Sequence, residues 1–394
     1  METIPKLFPR VPYFPPGWGR EEVATVWRHL LHGFSDDPDG FAHFKEQLAS
    51  VFPTKKMTFF NSGKAAIFSL LKQWNVGPGD EVIIPAFICE SVYFPILMCG
   101  AVPVEADVDP EDLNISIPSV IKKISAKTKA ILVAHLYGNP ANIVPLLEVG
   151  KNRGIKILDD AAPSFGASLN GQPVGSFGNG GAISIGPGKS TSGVRGAICL
   201  SNDQIPGSTE RESGIRLLQI YLKFLLTRQY RKAAYPLVRL HHWWAGLNKR
   251  KDGIEMDTRF TISQMAAIDA AIGSLQVNSV LAGGIKKRRA NFDILDGILL
   301  KESKIKVVRA KRGESAYAKY VFILPEGNPL KLFSFLQTKG IEVFTTYSPK
   351  PRFGRNDPYF ADSLAGRVFE FPLNETPDNT AFIGESIKEG LNRI

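Results

Sequence analysis

Between Phe59 and Ser201 the chain alternates short apolar runs with longer stretches whose apolar positions recur at helical spacing. The short runs are bounded by turn-forming residues, as strands usually are. The predicted strands end at Phe60 or span Glu81–Pro85, Val102–Ala106, Ala130–His135, Ile155–Leu158 and Ala182–Ile185. Strands that alternate with helices predict a mostly parallel α/β sheet, whose sites lie at the carboxyl ends of the strands.

The flanking regions follow other patterns. Residues 1–50 begin rich in proline and aromatic residues and then show two helical stretches, which predicts an arm and entry helices. Residues 262–300 are helical in pattern, and strands and helices alternate again from Ile305 onward. We therefore predict a large domain over residues 1–260, with an insertion near 210–250, and a connector helix with a smaller C-terminal α/β domain over 261–394.

The predicted insertion is apolar, basic and aromatic. Ile215 to Arg231 reads as a long helix, and Tyr235 to Trp244 contains a His-His-Trp-Trp run. Basic amphipathic segments with tryptophan can lie on a membrane surface, so a peripheral membrane contact through residues 215–244 is one hypothesis. A buried helix or a contact between subunits explains the same pattern, and we favour that interpretation.

Composition narrows the class of protein. No apolar run reaches membrane-spanning length, the N-terminus lacks a signal-peptide pattern, and no zinc-ligand spacing is present. Three cysteines in apolar contexts (Cys89, Cys99 and Cys199) do not form a disulfide framework, which predicts a reducing cytoplasm. The formal net charge of +10 indicates anionic partners. Charge alone does not separate nucleotides from nucleic acid or an anionic membrane, and we expect no nucleic-acid partner.

Two polar features suggest pyridoxal-phosphate chemistry. Lys189 follows the strand Ala182–Ile185 in a Gly-Pro-Gly turn, and Asp159-Asp160 ends the strand that begins at Ile155. That cofactor needs a lysine that reacts with its aldehyde and a carboxylate that keeps its ring nitrogen protonated. Taken singly, the lysine also fits a plain surface loop and the aspartates a helix N-cap.

A third feature is the turn Asn61-Ser62-Gly63-Lys64-Ala65, which joins a strand to a helix running to Trp74. The first amides of a helix are unpaired and lie at the positive end of its dipole, so they suit a phosphate. Lys64 would add positive charge. An ordinary strand-to-helix turn explains the pattern equally well.

Together these segments resemble the DegT/DnrJ/EryC1/StrS family of pyridoxal-phosphate sugar aminotransferases. The likeness covers most of the chain, and several motifs in the right order are more specific than any one of them. The motifs are Asn61–Ala66, Gly77–Ile83, His135–Pro140, Asp159–Ala162, Val174–Gly178, Ser184–Lys189 and Arg259–Ala266.

The resemblance implies a fold and a reaction. The fold is type I of the pyridoxal-phosphate aminotransferases, with a large mixed-sheet domain, a smaller C-terminal domain and active sites shared across a homodimer. Lys189 would bind the cofactor and move protons, and Asp160 would pair with the ring nitrogen. An amino donor, often glutamate in this family, would supply the amino group for the keto group of a nucleotide-linked sugar. The implied cofactor-binding residues are Gly63, Lys64, Ala65, Cys89, Asp160, Ser184 and Lys189, with Ser184 and the turn amides on the phosphate.

Several positions depart from the family pattern. Cys89 stands where an aromatic residue stacks on the ring, although Phe87 is close, and Pro163 and Phe165 replace a common glutamine and histidine. Lys64 replaces a threonine, Asp257 stands about where an asparagine reaches the partner's phosphate, and Gly193–Gly196 replaces a glycine-rich acidic stretch. Two alternatives therefore stay open: a catalytically silent or regulatory protein, and a pyridoxal-phosphate enzyme with other chemistry. The presence of Lys189 argues against the family's dehydratases, which lack that lysine.

Overall fold

The computed structural model describes residues 10–12, 18–34, 37–226, 260–345 and 359–394. Its helices are α1 (Arg20–Leu31), α2 (Pro38–Val51), α3 (Gly63–Gln73), α4 (Tyr93–Met98), α5 (Ile117–Lys123), α6 (Val144–Arg153), α7 (Gly214–Phe224), α8 (Ala267–Ser279), α9 (Ile285–Leu299), α10 (Pro329–Thr338), α11 (Phe360–Ser363) and α12 (Pro377–Leu391). Its strands are β1 (Lys56–Phe60), β2 (Glu81–Pro85), β3 (Val102–Ala106), β4 (Thr128–Ala134), β5 (Lys156–Asp160), β6 (Ser168–Leu169), β7 (Gln172–Pro173), β8 (Gly180–Ser184), β9 (Ala197–Ser201), β10 (Lys306–Val307), β11 (Lys319–Ile323), β12 (Phe344–Thr345) and β13 (Val368–Pro372).

A seven-stranded mixed sheet forms the centre of the large domain, with the strand order β1-β9-β8-β5-β4-β2-β3. Every neighbouring pair is parallel except those of β9, which runs antiparallel to both β1 and β8. The strands of this sheet are apolar on both faces because helices cover both. The carboxyl ends of β1, β4, β5 and β8 therefore meet at one edge.

Helices cover the two faces of this sheet with different residues. On one face, α3 contributes Ala66, Leu70 and Leu71 to a core with Leu132 and Leu158. On the other face, α2 contributes Phe44 and Leu48, and α6 and α8 add further apolar side chains. The alternating side chains of each strand thus enter two separate cores.

A second, antiparallel sheet has the strand order β10-β11-β13-β12. Tyr320 and Phe322 of β11 point into a core with α9, α10 and α12, whereas Val321 and Ile323 point into the core shared with α3. The small sheet is therefore packed against the large one on its second face. This arrangement confirms the predicted fold class, a large mixed-sheet domain with a smaller C-terminal α/β unit.

The long helical connector is interrupted. Helices α8 and α9 are joined by a π-helical turn at Val280–Gly284, in which Gly283 has a φ of +125°. Helix α8 packs with the large sheet, and α9 packs with the small one. The two connector helices contribute to the cores of both sheets, so the structure does not mark a boundary between two domains at residue 260. The predicted domain boundary stays a prediction.

The prediction that no apolar run reaches membrane-spanning length is wrong for Ala267–Leu299, which is long and apolar enough by length and composition, and half of its most apolar window is buried inside the fold. A core helix of a soluble protein passes the same test. Because α8 and α9 each contribute buried side chains to a core, we interpret this run as core helices.

Asn291 of α9 tests the connection between the helix and the small sheet. Its buried side-chain amide donates to the carbonyl oxygens of Leu373 and Glu375, both at 2.9 Å. We expect Asn291→Ala to lower the free energy of unfolding by about 2–3 kcal/mol, because two buried carbonyl groups lose their donor. Urea unfolding measures this loss. Asp293→Ala, at an exposed position of the same helix, is the control and should stay within about 0.5 kcal/mol of wild type; equal effects of the two changes would contradict the assignment.

Candidate functional site

A cavity of about 470 Å³ opens where the carboxyl ends of the central strands meet the small sheet. Asp160 ends β5, Ser184 ends β8, and Lys189 lies in the turn that follows β8. Six of the seven predicted site residues line this cavity: Gly63, Lys64, Cys89, Asp160, Ser184 and Lys189. Residues from distant parts of the chain thus come together around the amine of Lys189 and the carboxylate of Asp160.

Lys189 is held in a tight turn. Its backbone N–H donates to the carbonyl oxygen of Gly186 at 3.2 Å, and Gly188 between them has a φ of +77°, a conformation that favours glycine. The side chain of Lys189 is half-buried along the cavity wall. The sequence therefore places the lysine on a short fixed turn, as predicted, and on the sheet edge that also carries Asp160.

The side chains of the two consecutive aspartates of β5 lie in different surroundings, because successive side chains of a strand point to opposite faces of the sheet. Asp159 is fully buried: its Oδ1 lies 2.5 Å from Nε2 of His135, and its Oδ2 accepts from the backbone N–H groups of Gly175 and Phe177. Asp160 faces the cavity, where its Oδ1 accepts from the N–H of Ala162 at 3.0 Å.

Electrostatics distinguish Asp160 from an ordinary surface carboxylate. Burial raises the pKa of Asp160, while the Ala162 hydrogen bond and the positive charge of Lys189 oppose the rise. A cationic N–H group inside the cavity would stabilise the ionised form of this carboxylate strongly, since desolvation leaves its negative charge poorly compensated.

The start of α3 lies beside Ser184. A Cβ atom placed on Gly63 would be 3.7 Å from the Cβ of Ser184 and 3.8 Å from its Oγ. The helix begins at Gly63, so the first amides of α3 and the Ser184 hydroxyl border the same corner of the cavity. Ala65 differs from the prediction in that its side chain is buried in the core and its N–H donates to the Ser62 hydroxyl, which caps the helix.

The ammonium group of Lys64 lies among aromatic rings. Its Nζ is 5.3 Å from the ring centroid of Phe94 and 5.1 Å from that of Phe260. Cation–π attraction at these distances holds a positive charge in place near the start of α3. The lysine that replaces the family's threonine therefore adds a localised charge to that corner.

The substituted pocket residues divide into two groups. Cys89 and Pro163 line the cavity, with the Sγ of Cys89 3.1 Å from the Oγ of Ser91. Phe87 and Phe165 are instead buried in the two cores on either side of the large sheet. Phe87 therefore does not supply the aromatic ring that the family pattern has at the position of Cys89. The predicted counterpart of the partner-binding asparagine, Asp257, lies outside the described residues.

Sequence reasoning missed the wall that the small sheet supplies. Ala318, Lys319 and Glu370 line the cavity opposite the large sheet. Tyr137, with a φ of +60°, lines it next to them, and its carbonyl oxygen accepts from the N–H of Ala318 at 3.2 Å. Tyr137 belongs to the motif His135–Pro140, but no local pattern marks Ala318, Lys319 or Glu370 as site residues, since they meet the cavity only through the packing of the two sheets.

Hydrogen bonds from other elements fix the loop that follows Lys189. Thr191 Oγ1 donates to the carbonyl oxygen of Ser184 at 3.1 Å. At Ser192, the N–H donates to Gln276 and the carbonyl oxygen accepts from the indole N–H of Trp18 at 2.8 Å. The loop is therefore tied to α8 and to the segment before α1.

A buried polar cluster ends this loop. Arg195 lies 3.1 Å from Glu212 and 3.4 Å from Asp269, and Tyr221 of α7 donates to Asp269 at 2.7 Å. Burial raises the pKa of Asp269 to about 6, although Arg195 and the Tyr221 hydroxyl oppose the rise.

The predicted insertion begins with helix α7, whose side chains Leu217, Tyr221 and Phe224 are buried. Through the hydrogen bond from Tyr221 to Asp269, this helix joins the polar cluster at the end of the site loop. The rest of that segment from residue 227, with its Tyr235–Trp244 run, lies outside the described residues.

The family of the chain follows from comparison with known proteins. The model of the DegT/DnrJ/EryC1/StrS aminotransferase family matches residues 18–376. The chain belongs to this family, as the sequence motifs predicted.

Individual relatives match shorter parts. GDP-perosamine synthase of Vibrio cholerae is 32% identical over 162 residues, 41% of this chain and 44% of that protein. GDP-4-keto-6-deoxy-D-mannose 3-dehydratase of Yersinia pseudotuberculosis is 25% identical over 86% of this chain and 84% of that protein. Among solved structures, DesV of S. venezuelae superposes with a TM-score of 0.74 at 22% identity, over 98% of this chain and 100% of that one. The first curated relatives are matched over 35% to 53% of their own length.

Asp269 predicts a pH dependence of stability. Its pKa in the folded protein, about 6, exceeds the ordinary 3.8, so the folded state binds more protons between these values. Stability from this group is greatest near pH 4 and is lost as the pH rises through 6, a change of about 2–3 kcal/mol. Asp269→Asn should remove this loss, which is measured as the difference in urea stability between pH 4.5 and pH 7 in variant and wild type. An identical difference in both proteins would show that Asp269 does not titrate in this window.

Proposed function

We propose that the protein is a pyridoxal-phosphate-dependent aminotransferase that moves an amino group from a donor, expected to be glutamate, to a keto sugar linked to a nucleotide. The observation that carries the proposal is the meeting of Lys189 and Asp160 in one cavity, where the charge of the lysine opposes the rise that burial causes in the pKa of the aspartate. Family membership supports the same reaction class.

The residues present fit this cofactor. An amine, a desolvated carboxylate and a helix N-terminus with an adjacent hydroxyl border one cavity, and they match the aldehyde, the ring nitrogen and the phosphate. Lys64 supplies positive charge at the phosphate end, held between Phe94 and Phe260. When bound, the cofactor supplies an electron-withdrawing ring that stabilises negative charge on the carbon next to the transferred nitrogen.

The side chains then have separate tasks. The ε-amine of Lys189 would hold the cofactor through its aldehyde and, when free, would carry protons as a general base and acid. Asp160 holds the proton on the ring nitrogen, since its carboxylate is buried and short of compensating partners. Ser184 and the amides of Gly63 and Lys64 bind the phosphate, and Ala65 contributes through its place in the same helical turn.

The acceptor is proposed from the relatives. The names of the Vibrio cholerae and Yersinia pseudotuberculosis relatives both refer to a sugar linked to GDP. A nucleotide-linked sugar also agrees with the basic balance of the chain, +10 at pH 7. Because one relative is a dehydratase, dehydration is a second candidate reaction. The presence of Lys189 argues against it, since the resemblance implies that the family's dehydratases lack this lysine.

We propose a homodimer, as the resemblance implies, and a location in the cytoplasm, as the cysteine usage predicts. The three free thiols, of which Cys99 and Cys199 are buried, support a reducing compartment. For the helical start of residues 215–244 we propose packing within the protein, because the buried side chains of α7 contact Trp18 and α8. Light scattering tests the dimer. Sedimentation with anionic liposomes at low salt tests the membrane alternative, and binding would restore it.

Lys189→Ala tests the cofactor and the reaction together. We expect purified wild type to show a visible absorption band from lysine-bound cofactor, which L-glutamate bleaches, whereas the variant shows no such band. Bleaching establishes the donor half of the reaction. A stable band in wild type would favour another donor or other chemistry, and no band even with added cofactor would favour a catalytically silent protein.

Asp160→Asn separates cofactor binding from chemistry. Because Lys189 remains, the variant should still form the absorption band, but the rate of bleaching by glutamate should fall about 100-fold, the usual scale for loss of one electrostatic partner of developing charge. Stopped-flow absorbance measures this rate. The matched control is Asp159→Asn on the opposite face of β5, which should lower thermal stability and change the bleaching rate only a few-fold. A wild-type rate in Asp160→Asn would exclude the assigned role.

A further inference from the structure

Arg288 of α9 is a buried cation outside the cavity. Its side chain is 3% exposed, its Nε donates to the carbonyl oxygen of Ala316 at 2.9 Å, and its Nη1 donates to that of Ser190 at 3.1 Å. Within the described part of the chain, no carboxylate lies within ion-pair distance of it. Burial lowers the pKa of Arg288 to about 10.

A buried arginine without a counter-ion is unfavourable for the stability of the fold. A buried charge without a counter-ion pays a desolvation penalty that hydrogen bonds to neutral carbonyl groups offset only in part. Its Nη2 and the nearby hydroxyl of Ser190 are buried, and neither has a hydrogen-bond partner among the described residues. An apolar side chain of similar volume would give a more stable fold at this position. The guanidinium group therefore has a role other than stabilising the fold.

The two carbonyl groups that Arg288 contacts belong to opposite walls of the cavity. Ser190 immediately follows Lys189 in the site turn. Ala316 precedes Ala318 and Lys319, and its N–H donates to the carbonyl oxygen of Gly138 at 2.9 Å, next to Tyr137. One rigid, planar side chain therefore joins the lysine turn of the large domain to the small-sheet wall.

We infer that Arg288 is a positioning residue that holds the amine of Lys189 in register with the wall formed by Ala318 and Lys319. The inference rests on the proposed role of Lys189. It requires the fork geometry of arginine: a lysine at this position keeps the charge but presents a single ammonium group, which cannot bridge both carbonyl groups in the same way. A displacement of a reacting group by about 1 Å can cost a factor of about 100 in rate.

The test measures Lys189 directly and does not depend on turnover. Cofactor-free protein is incubated with pyridoxal 5′-phosphate and sodium cyanoborohydride, and the labelling rate of each lysine is followed by peptide mass spectrometry. The exposed Lys287 of the same helix is the internal control. We expect Arg288→Lys and Arg288→Met to label Lys189 about tenfold more slowly than wild type, with Lys287 unchanged. Arg289→Gln, at the exposed neighbouring position, should behave as wild type.

Two further readouts separate positioning from a general loss of structure. Guanidinium chloride at millimolar concentration should restore the Lys189 labelling rate in Arg288→Ala, which is purified in its presence so that the fold is kept. In the loaded enzyme, Arg288→Lys should lower the glutamate bleaching rate at saturation about tenfold, with the half-saturating concentration within twofold of wild type.

The outcomes are distinct. Wild-type labelling of Lys189 in folded Arg288→Lys and Arg288→Met would overturn the inference, as would slow labelling of Lys189 and Lys287 alike or a lack of guanidinium rescue. If wild type reacts with no amino donor, the proposed function fails, whereas the labelling comparison still decides the role of Arg288.

Discussion

The buried contact between His135 and Asp159 determines how the site edge of the large sheet is built. The N–H of Ala141 donates to Nδ1 of His135, so the ring carries its proton on Nε2 and donates to Asp159. The second oxygen of Asp159 accepts two backbone N–H groups, so both oxygens of the carboxylate are hydrogen-bonded. Because this pair occupies one face of β5 and joins it to the end of β4, strand alternation leaves Asp160 directed at the cavity.

The cavity depends equally on the contact between the two sheets. One wall is built from the ends of β5 and β8, the start of α3 and Tyr137 in the turn after β4, and the other from Ala318 and from Lys319 and Glu370 of the small sheet. Backbone hydrogen bonds from Ala316 and Ala318 to Gly138 and Tyr137 hold the walls together. A Cβ atom on Gly138 would lie 2.9 Å from the backbone N of Ala318, so this contact is possible only with glycine there. The candidate site therefore depends on the packing of the two sheets against each other.

Local pattern predicted much of this structure. Glu81–Pro85 and Val102–Ala106 are strands with the predicted limits, and the turn with Lys189 follows β8 as expected. These features depend on residues close in sequence, whose periodicity and turn chemistry are readable. Lys319 and Glu370 could not be found this way, because only long-range packing brings β11 and β13 to the cavity. The orientations of Phe87 and Phe165, which point into cores, are decided by the same packing.

Buried polar side chains are concentrated around the loop of residues 184–196. Trp18, Gln276 and Arg288 reach it from three separate parts of the chain, and Arg195 ends it in a cluster with Glu212 and Asp269. Burying these groups is less favourable than filling the same volume with apolar side chains. Apolar packing, however, tolerates small shifts, whereas hydrogen bonds of fixed length and direction do not. The loop is therefore less stable than an apolar one would be, but it fixes the position of Lys189, as the proposed covalent role of that amine requires.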